Sequence, residues 1–118
     1  MEEVKNLYRT ALELAKNGSY DLAIQYAKKI TDSYPDIFLG YFCLAAIYGY
    51  IENWNQVYLN AIKADELDPN NPAILNHLGV SLCQLGKIRE GVFYLQRGTG
   101  LGDRDCYNNL GYWIRKLS

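Results

Sequence analysis

The chain has 118 residues, of which 49% are hydrophobic and 21% are charged, as in an ordinary soluble globular domain. Its formal net charge of −1 argues against nucleic acid as a partner, because that affinity depends on many Lys and Arg contacts to phosphates. No apolar run approaches the roughly 18 residues that a membrane-spanning helix needs. The acidic start Met1-Glu2-Glu3 also lacks the basic and apolar parts of a signal peptide. We therefore expect neither nucleic acid nor a membrane as a partner.

The cysteine content indicates a reducing compartment. Cys43, Cys83 and Cys106 are an odd number and show no C-x-x-C spacing. Such a set is more typical of reduced thiols than of a disulfide framework. The sequence therefore predicts a cytoplasmic protein.

Similar residue types recur along the chain at intervals of 34 positions. The series are Gly18–Glu52–Gly86, Tyr20–Trp54–Ile88, Ala23–Val57–Gly91, Ala27–Ala61–Leu95, Leu7–Tyr41–Leu75 and Ala11–Ala45–Gly79. A fixed period between about 20 and 50 residues indicates a stack of supersecondary units, none of which buries its apolar face alone. The periodicity therefore predicts a repeat array that binds another molecule, without identifying that molecule.

The first unit reads as two amphipathic helices. Apolar residues at steps of three and four predict a helix over residues 3–16, and Gly18 ends it by adopting the left-handed conformation. The same pattern predicts a second helix over residues 20–33. Pro35 prevents its continuation, because the residue before a proline is disfavoured in the helical region.

The second and third units repeat this design with other side chains. One predicted helix carries Tyr41, Leu44, Ala45 and Tyr48, and its partner carries Trp54, Val57, Ala61 and Ala64. The third unit has Leu75, Leu78, Gly79 and Leu82, then Ile88, Gly91, Leu95 and Gly98, with Pro72 as its expected first helical residue. Small residues at 11, 45 and 79 allow close helix approach, and short connections predict antiparallel pairs.

The register changes after the third unit. Tyr107, Leu110, Gly111 and Ile114 repeat Leu75, Leu78, Gly79 and Leu82 at a step of 32. The glycine-rich residues 98–103 between these units are expected to form a connector. A seventh helix then has no partner. It is either a capping helix or the first half of a further repeat.

These patterns resemble the tetratricopeptide repeat family. The residues that carry the resemblance are Tyr41-x-x-Leu44-Ala45-x-x-Tyr48 with Ala61, Ala64 and Pro69, and Leu75-x-x-Leu78-Gly79-x-x-Leu82 with Gly86. The resemblance implies an all-α, right-handed α-solenoid of three helix pairs plus a C-terminal capping or truncated-repeat helix. It implies one domain, 1–118, with repeats at 4–37, 38–71 and 72–103 and a terminal helix at 104–118.

In this family the first helix of each pair lines a concave groove that typically holds an extended peptide or a helix. The resemblance places the following residues in the groove: Lys5, Tyr8, Arg9, Leu12, Leu39, Phe42, Cys43, Ala46, Tyr50, Asn76, His77, Val80, Cys83 and Asn109. The middle of this set is apolar and aromatic, and its N-terminal end is basic through Lys5 and Arg9. The predicted function is a protein–protein interaction module, an adaptor or chaperone-like scaffold, that holds an apolar peptide or amphipathic helix with acidic flanks.

The same residues bear on two other functions. Family members that grip a chaperone's C-terminal carboxylate use basic and amide side chains at positions that here hold Tyr8, Leu12, Cys43, Ala73 and His77. That carboxylate clamp is therefore not expected. The alternative function is a structural unit that self-assembles through its open repeat ends or its groove, giving a homo-oligomer.

Neither metal binding nor catalysis is expected. His77 shares a repeat position with Cys43 and has Cys83 nearby, but zinc needs four ligands, or three and a water, at about 2.0–2.3 Å, whereas adjacent helix axes lie roughly 8–10 Å apart. A cysteine nucleophile also needs a base and a third group that orients the base, and the pattern provides no orienting carboxylate. We predict a non-enzymatic protein without a metal or another cofactor.

Overall fold

The computed structural model of the protein describes residues 1–117, which form seven helices and no strand. The helices are α1 (Glu2–Lys16), α2 (Tyr20–Ser33), α3 (Phe38–Tyr50), α4 (Trp54–Leu67), α5 (Pro72–Gln84), α6 (Ile88–Gly100) and α7 (Arg104–Leu117). This confirms the all-α prediction; the second predicted helix coincides with α2, and α1 begins one residue before its predicted start. Within residues 1–117, no helix combines the length and the apolar character needed to cross a membrane.

The helices form an elongated stack. Each helix packs against the next one in the chain, and the first helices of successive pairs also contact each other, α1 with α3 and α5 with α7. The described residues extend over 44 × 26 × 21 Å. The architecture is therefore a solenoid of three helix pairs followed by one extra helix. The division of the chain into repeats ending at 37, 71 and 103 stays a prediction.

The turn inside each pair uses a left-handed residue. Gly18 has φ 85°, Gly86 has φ 89°, and Glu52 at the equivalent position has φ 56°. Glu52 carries a Cβ, which makes this conformation unfavourable by roughly 1–2 kcal/mol. The pairing of the helices therefore imposes the turn geometry even where the sequence lacks a glycine.

Small residues allow the helix backbones to approach closely, as predicted. Ala11 and Ala45 are fully buried. In the third pair, a Cβ at Gly79 would lie 2.7 Å from Leu95 Cδ2, and a Cβ at Gly91 would lie 2.5 Å from the Gly79 carbonyl oxygen. Real Cβ atoms do not occupy such positions, so α5 and α6 pack backbone against backbone.

The predicted connector at 98–103 is wrong in its first half. Helix α6 continues through Gly100, and only residues 101–103 connect it to α7. Gly98 is buried within α6, where a Cβ would lie 2.9 Å from Cys106 Cβ of α7. This glycine is thus needed for close helix packing rather than for a turn. Asp103 caps the N-terminus of α7, because its carboxylate accepts a hydrogen bond from the Cys106 backbone N–H at 2.9 Å.

The crossing of α5 and α6 is tested by a matched pair of glycine substitutions in α6. Gly91→Ala should lower the free energy of unfolding by about 2–3 kcal/mol, because its methyl group overlaps the Gly79 carbonyl and Cys83. Gly100→Ala adds the same methyl group where no atom lies within 4 Å, and should leave stability unchanged or slightly higher. Urea unfolding followed by circular dichroism measures both. Equal stability of the two variants would contradict this account of the crossing.

Candidate functional site

Three rings from three first helices form a continuous row, which we call the aromatic row. Tyr8 of α1 stacks on Phe42 of α3 with ring centroids 6.5 Å apart and an interplanar angle of 26°. Phe42 in turn meets the edge of His77 of α5 at 5.2 Å and 65°. All three side chains are partly buried. Since α1, α3 and α5 follow one another along the stack, the row crosses the groove face of three successive helices.

A pocket of about 350 Å³ opens at the His77 end of this row. Its lining residues are Ala46, Gly49, Tyr50, Trp54, Asn76, His77, Val80 and Asn109. The structure therefore brings together six of the residues that the sequence placed in the groove, from α3, α5 and α7. Gly49 and Trp54 were missed.

Trp54 was missed because it begins α4, a second helix of a pair, which the repeat pattern assigns to the side away from the groove. Its indole packs partly against the core between the second and third pairs and also reaches the pocket. The one available clue was its size, since the equivalent positions hold Tyr20 and Ile88.

The pocket contains polar groups but no charged side chain. The Asn109 amide nitrogen donates a hydrogen bond to the Asn76 side-chain oxygen at 2.9 Å, which joins α7 to α5 across the pocket wall. Burial lowers the pKa of His77 to about 4, so its imidazole is neutral at physiological pH. The lining therefore suits an uncharged apolar group, with amides and a neutral imidazole available for hydrogen bonds.

Cys43 and Cys83 are not exposed in the groove, which corrects their predicted place in its lining. Cys43 is fully buried in a core cluster with Ala11 and Ala15, and Cys83 is 3% exposed. Burial raises the pKa of Cys43 to about 12 and that of Cys83 to about 11. Cys83 fills the space that the missing side chain of Gly91 leaves between α5 and α6.

The N-terminal groove residues lie apart from the pocket. Lys5 and Arg9 are exposed, and Arg9 donates a hydrogen bond to Asn6 Oδ1 at 3.2 Å. Leu12 is partly buried against the first core cluster, and Leu39 is also partly buried. Burial, and to a smaller extent the neighbouring Cys43, raises the pKa of Tyr8, so this end of the aromatic row is also neutral.

The three cysteines of the chain are buried thiols. Within residues 1–117, no group of three or more His, Cys, Asp or Glu side chains could hold a metal ion. All three cysteines are free and buried, and burial together with Asp103 and Asp105 raises the pKa of Cys106 to about 12. Their thiols are therefore protonated at neutral pH, whereas a cysteine nucleophile acts as the thiolate.

Stacked helix pairs with one row of first helices along a groove define an α-solenoid of the helical-repeat class. The chain has the fold of tetratricopeptide repeat domains, as the sequence resemblance predicted, and several solved structures are similar to it. The first such domain of Spaghetti (RPAP3), bound to the HSP90 peptide SRMEEVD, has a TM-score of 0.89 at 19% identity, covering 98% of this chain and 94% of that one. The Sgt2 domain from Aspergillus fumigatus gives 0.91 at 16% identity, covering 99% and 80%.

The Yersinia enterocolitica type III secretion chaperone SycD, in complex with a peptide of the translocator YopD, is also similar. It has a TM-score of 0.85 at 15% identity and covers 100% of this chain and 97% of its own. At these identities the likeness concerns the fold. Neither a protein-family model nor a curated protein sequence matches this chain.

The neutral state of His77 predicts how stability depends on pH. Its folded pKa of about 4 lies below the ordinary 6.5, so between these values the unfolded chain binds a proton that the folded chain does not. His77 should therefore make folding less favourable as the pH falls from about 6.5 to about 4, by at most about 3 kcal/mol. His77→Gln, which does not titrate, removes this contribution. Urea unfolding at pH 7, 5.5 and 4.5 should show a steeper loss of the free energy of unfolding with falling pH in the unchanged protein than in His77→Gln. Parallel pH dependences of the two proteins would contradict the prediction.

Proposed function

We propose that this chain is a protein–protein interaction module that holds an apolar peptide segment or one face of an amphipathic helix in its groove. The observation that carries the proposal is the uncharged pocket beside the aromatic row, where Tyr50, 48% exposed, stands next to Val80 and Trp54. An accessible concavity with apolar walls and a few polar groups is the usual form of a binding site.

The spacing of the aromatic row suits a peptide that crosses the first helices. Its ring centroids are 6.5 and 5.2 Å apart. Alternate residues of an extended chain lie about 6.6 Å apart, and successive turns of a helix about 5.4 Å apart. Either conformation places side chains of one face against successive rings, so both belong to the proposal.

The chemistry of the lining favours an apolar ligand over an acidic tail. Spaghetti (RPAP3) and SycD were solved with the peptides SRMEEVD and a YopD segment, respectively. The positions that hold a carboxylate clamp in this family carry no Lys or Arg here, and the pocket lining has none either. We expect acidic residues only in a flank of the peptide, where exposed Lys5 and Arg9 attract them.

The proposed setting is the cytoplasm, and the proposed role is that of an adaptor or chaperone-like scaffold without enzymatic activity. The three free, buried cysteines support a reducing environment. Their raised pKa values and the uncharged groove favour a binding surface over a reactive one.

Tyr50 provides the direct test, because its exposure allows substitution without loss of the fold. Peptides are selected from a random displayed library on the immobilised protein, and their affinities are measured by fluorescence anisotropy. Tyr50→Ser should weaken binding of the selected peptides at least tenfold, since an aromatic anchor at an interface contributes about 2 kcal/mol or more. Leu59→Ser removes an apolar side chain that is 58% exposed outside the pocket, and should change nothing.

Each outcome of this test has a defined meaning. Unchanged binding by Tyr50→Ser, with an unchanged circular dichroism spectrum, removes the pocket from the proposed site. Phe42→Ser is a second variant, to be used with a stability measurement because Phe42 is partly buried. Substitution of a residue between the apolar residues of a selected peptide by proline separates the two conformations, since it keeps the spacing and disfavours helical but not extended binding.

The basic end of the groove gives an independent electrostatic prediction. The double variant Lys5→Glu, Arg9→Glu should bind peptides with an acidic flank about fivefold more weakly at low salt, because each exposed ion pair contributes only about 0.2–1 kcal/mol. The difference should nearly disappear at roughly 0.5 M salt. Lys28→Glu with Lys29→Glu, two exposed charge reversals on α2, is the charge-matched control. An equal loss in this control would mean that net charge, rather than the groove end, steers the peptide.

A further inference from the structure

One face of α7 is open. Cys106 is buried, and Leu110 and Trp113 pack against the core, whereas Tyr107 is 65% and Ile114 43% exposed on the adjoining side of the helix. A depression of about 370 Å³ runs along the open side. We call this surface the α7 face; it is lined by Tyr107, Asn108, Leu110, Gly111, Ile114 and Arg115.

The third repeat indicates what kind of element covers such a face. Tyr107, Leu110, Gly111 and Ile114 correspond in sequence to Leu75, Leu78, Gly79 and Leu82, all of which are buried on α5. Leu75 and Leu78 belong to the core cluster with α3 and α4, whereas Gly79 is crossed by α6 at Gly91 and Leu95. A Cβ at Gly111, by contrast, would meet only Arg115 Nη1, at 3.7 Å. The α7 face thus has the residues of a helix-covered surface and an open crossing point.

A second α7 has the features that such a cover requires. It offers Gly111 between the large residues Tyr107 and Ile114, as α6 offers Gly91 between Ile88 and Leu95. In an antiparallel pair centred on Gly111, the two crossing glycines of different chains meet. The large residues then flank the crossing on both sides.

The charges of α7 favour the antiparallel direction. Its first turn contains Asp105, preceded by the capping Asp103, and Arg104 is the one cation there; its last turn contains Arg115 and Lys116. Antiparallel packing places the largely acidic end of one helix beside the basic end of the other, and it also opposes the helix dipoles favourably. We propose that the α7 faces of two copies pair in this way to form a two-fold symmetric dimer.

The oligomeric state tests the proposal, and the test is independent of peptide binding. Two short helices bury less than the roughly 1,200 Å² of a standard stable interface, so sedimentation equilibrium should cover about 1 µM to 1 mM. The unchanged protein should dimerise within this range. Gly111→Leu and Ile114→Lys should each weaken dimerisation at least tenfold, with unchanged circular dichroism, because both sites are open in the single chain. Leu59→Ser is the matched control for losing an exposed apolar side chain.

Four results would overturn the α7 pairing. The first is a monomer at every concentration, and the second is undiminished dimerisation by Gly111→Leu. The third is a dimer that Tyr50→Ser abolishes, which would place the contact in the groove. Binding of a synthetic peptide with the α6 sequence Ile88–Gly100 to a monomeric protein would also decide against a second copy and in favour of a helix of another origin.

Discussion

The close approach of helix backbones at small residues determines the rest of the molecule. Ala11, Ala45 and Gly79 occupy one repeat position on α1, α3 and α5. Ala11 and Ala45 are buried in core clusters with residues of α2 and α4, and Gly79 is crossed by α6. The residues three positions earlier are Tyr8, Phe42 and Asn76, about 60° away around the same helices. Fixing the crossing therefore fixes the direction of the groove side chains. The aromatic row uses this position on α1 and α3 and moves one residue on, to His77, on α5.

Burial also sets the charge of the groove. His77 and Tyr8 lie at the two ends of the aromatic row, and burial moves the pKa of each in the direction that keeps it neutral at physiological pH. Asn76 and Asn109 satisfy each other and add polarity without charge. Among the groove residues named above, the cations are Lys5 and Arg9, at the exposed end. Under the proposed function, apolar recognition and electrostatic steering are thus separated along one surface, and only the second depends on salt.

Much of the fold follows from periodicity and helix-ending residues. The limits of α2 and the left-handed Gly18 were predictable because apolar spacing and turn chemistry are local properties. The groove was less predictable, because a repeat alignment assigns positions to faces but does not fix where one face ends. Phe42 and Cys43 are neighbours only about 100° apart around α3. One lies in the aromatic row and the other in the core, and only the packing of α1 on α3 decides which.

A glycine-rich composition does not by itself indicate a turn, because a glycine can also be needed for close helix packing. Gly98 suggested a connector, yet it lies inside α6, where its missing Cβ admits Cys106 of α7. This contact has a consequence for the groove, because α7 contributes Asn109 to the pocket wall. The pocket therefore lies across the joint between α5 and α7, where the Asn109 amide donates a hydrogen bond to Asn76, so that whatever positions α7 also shapes the pocket.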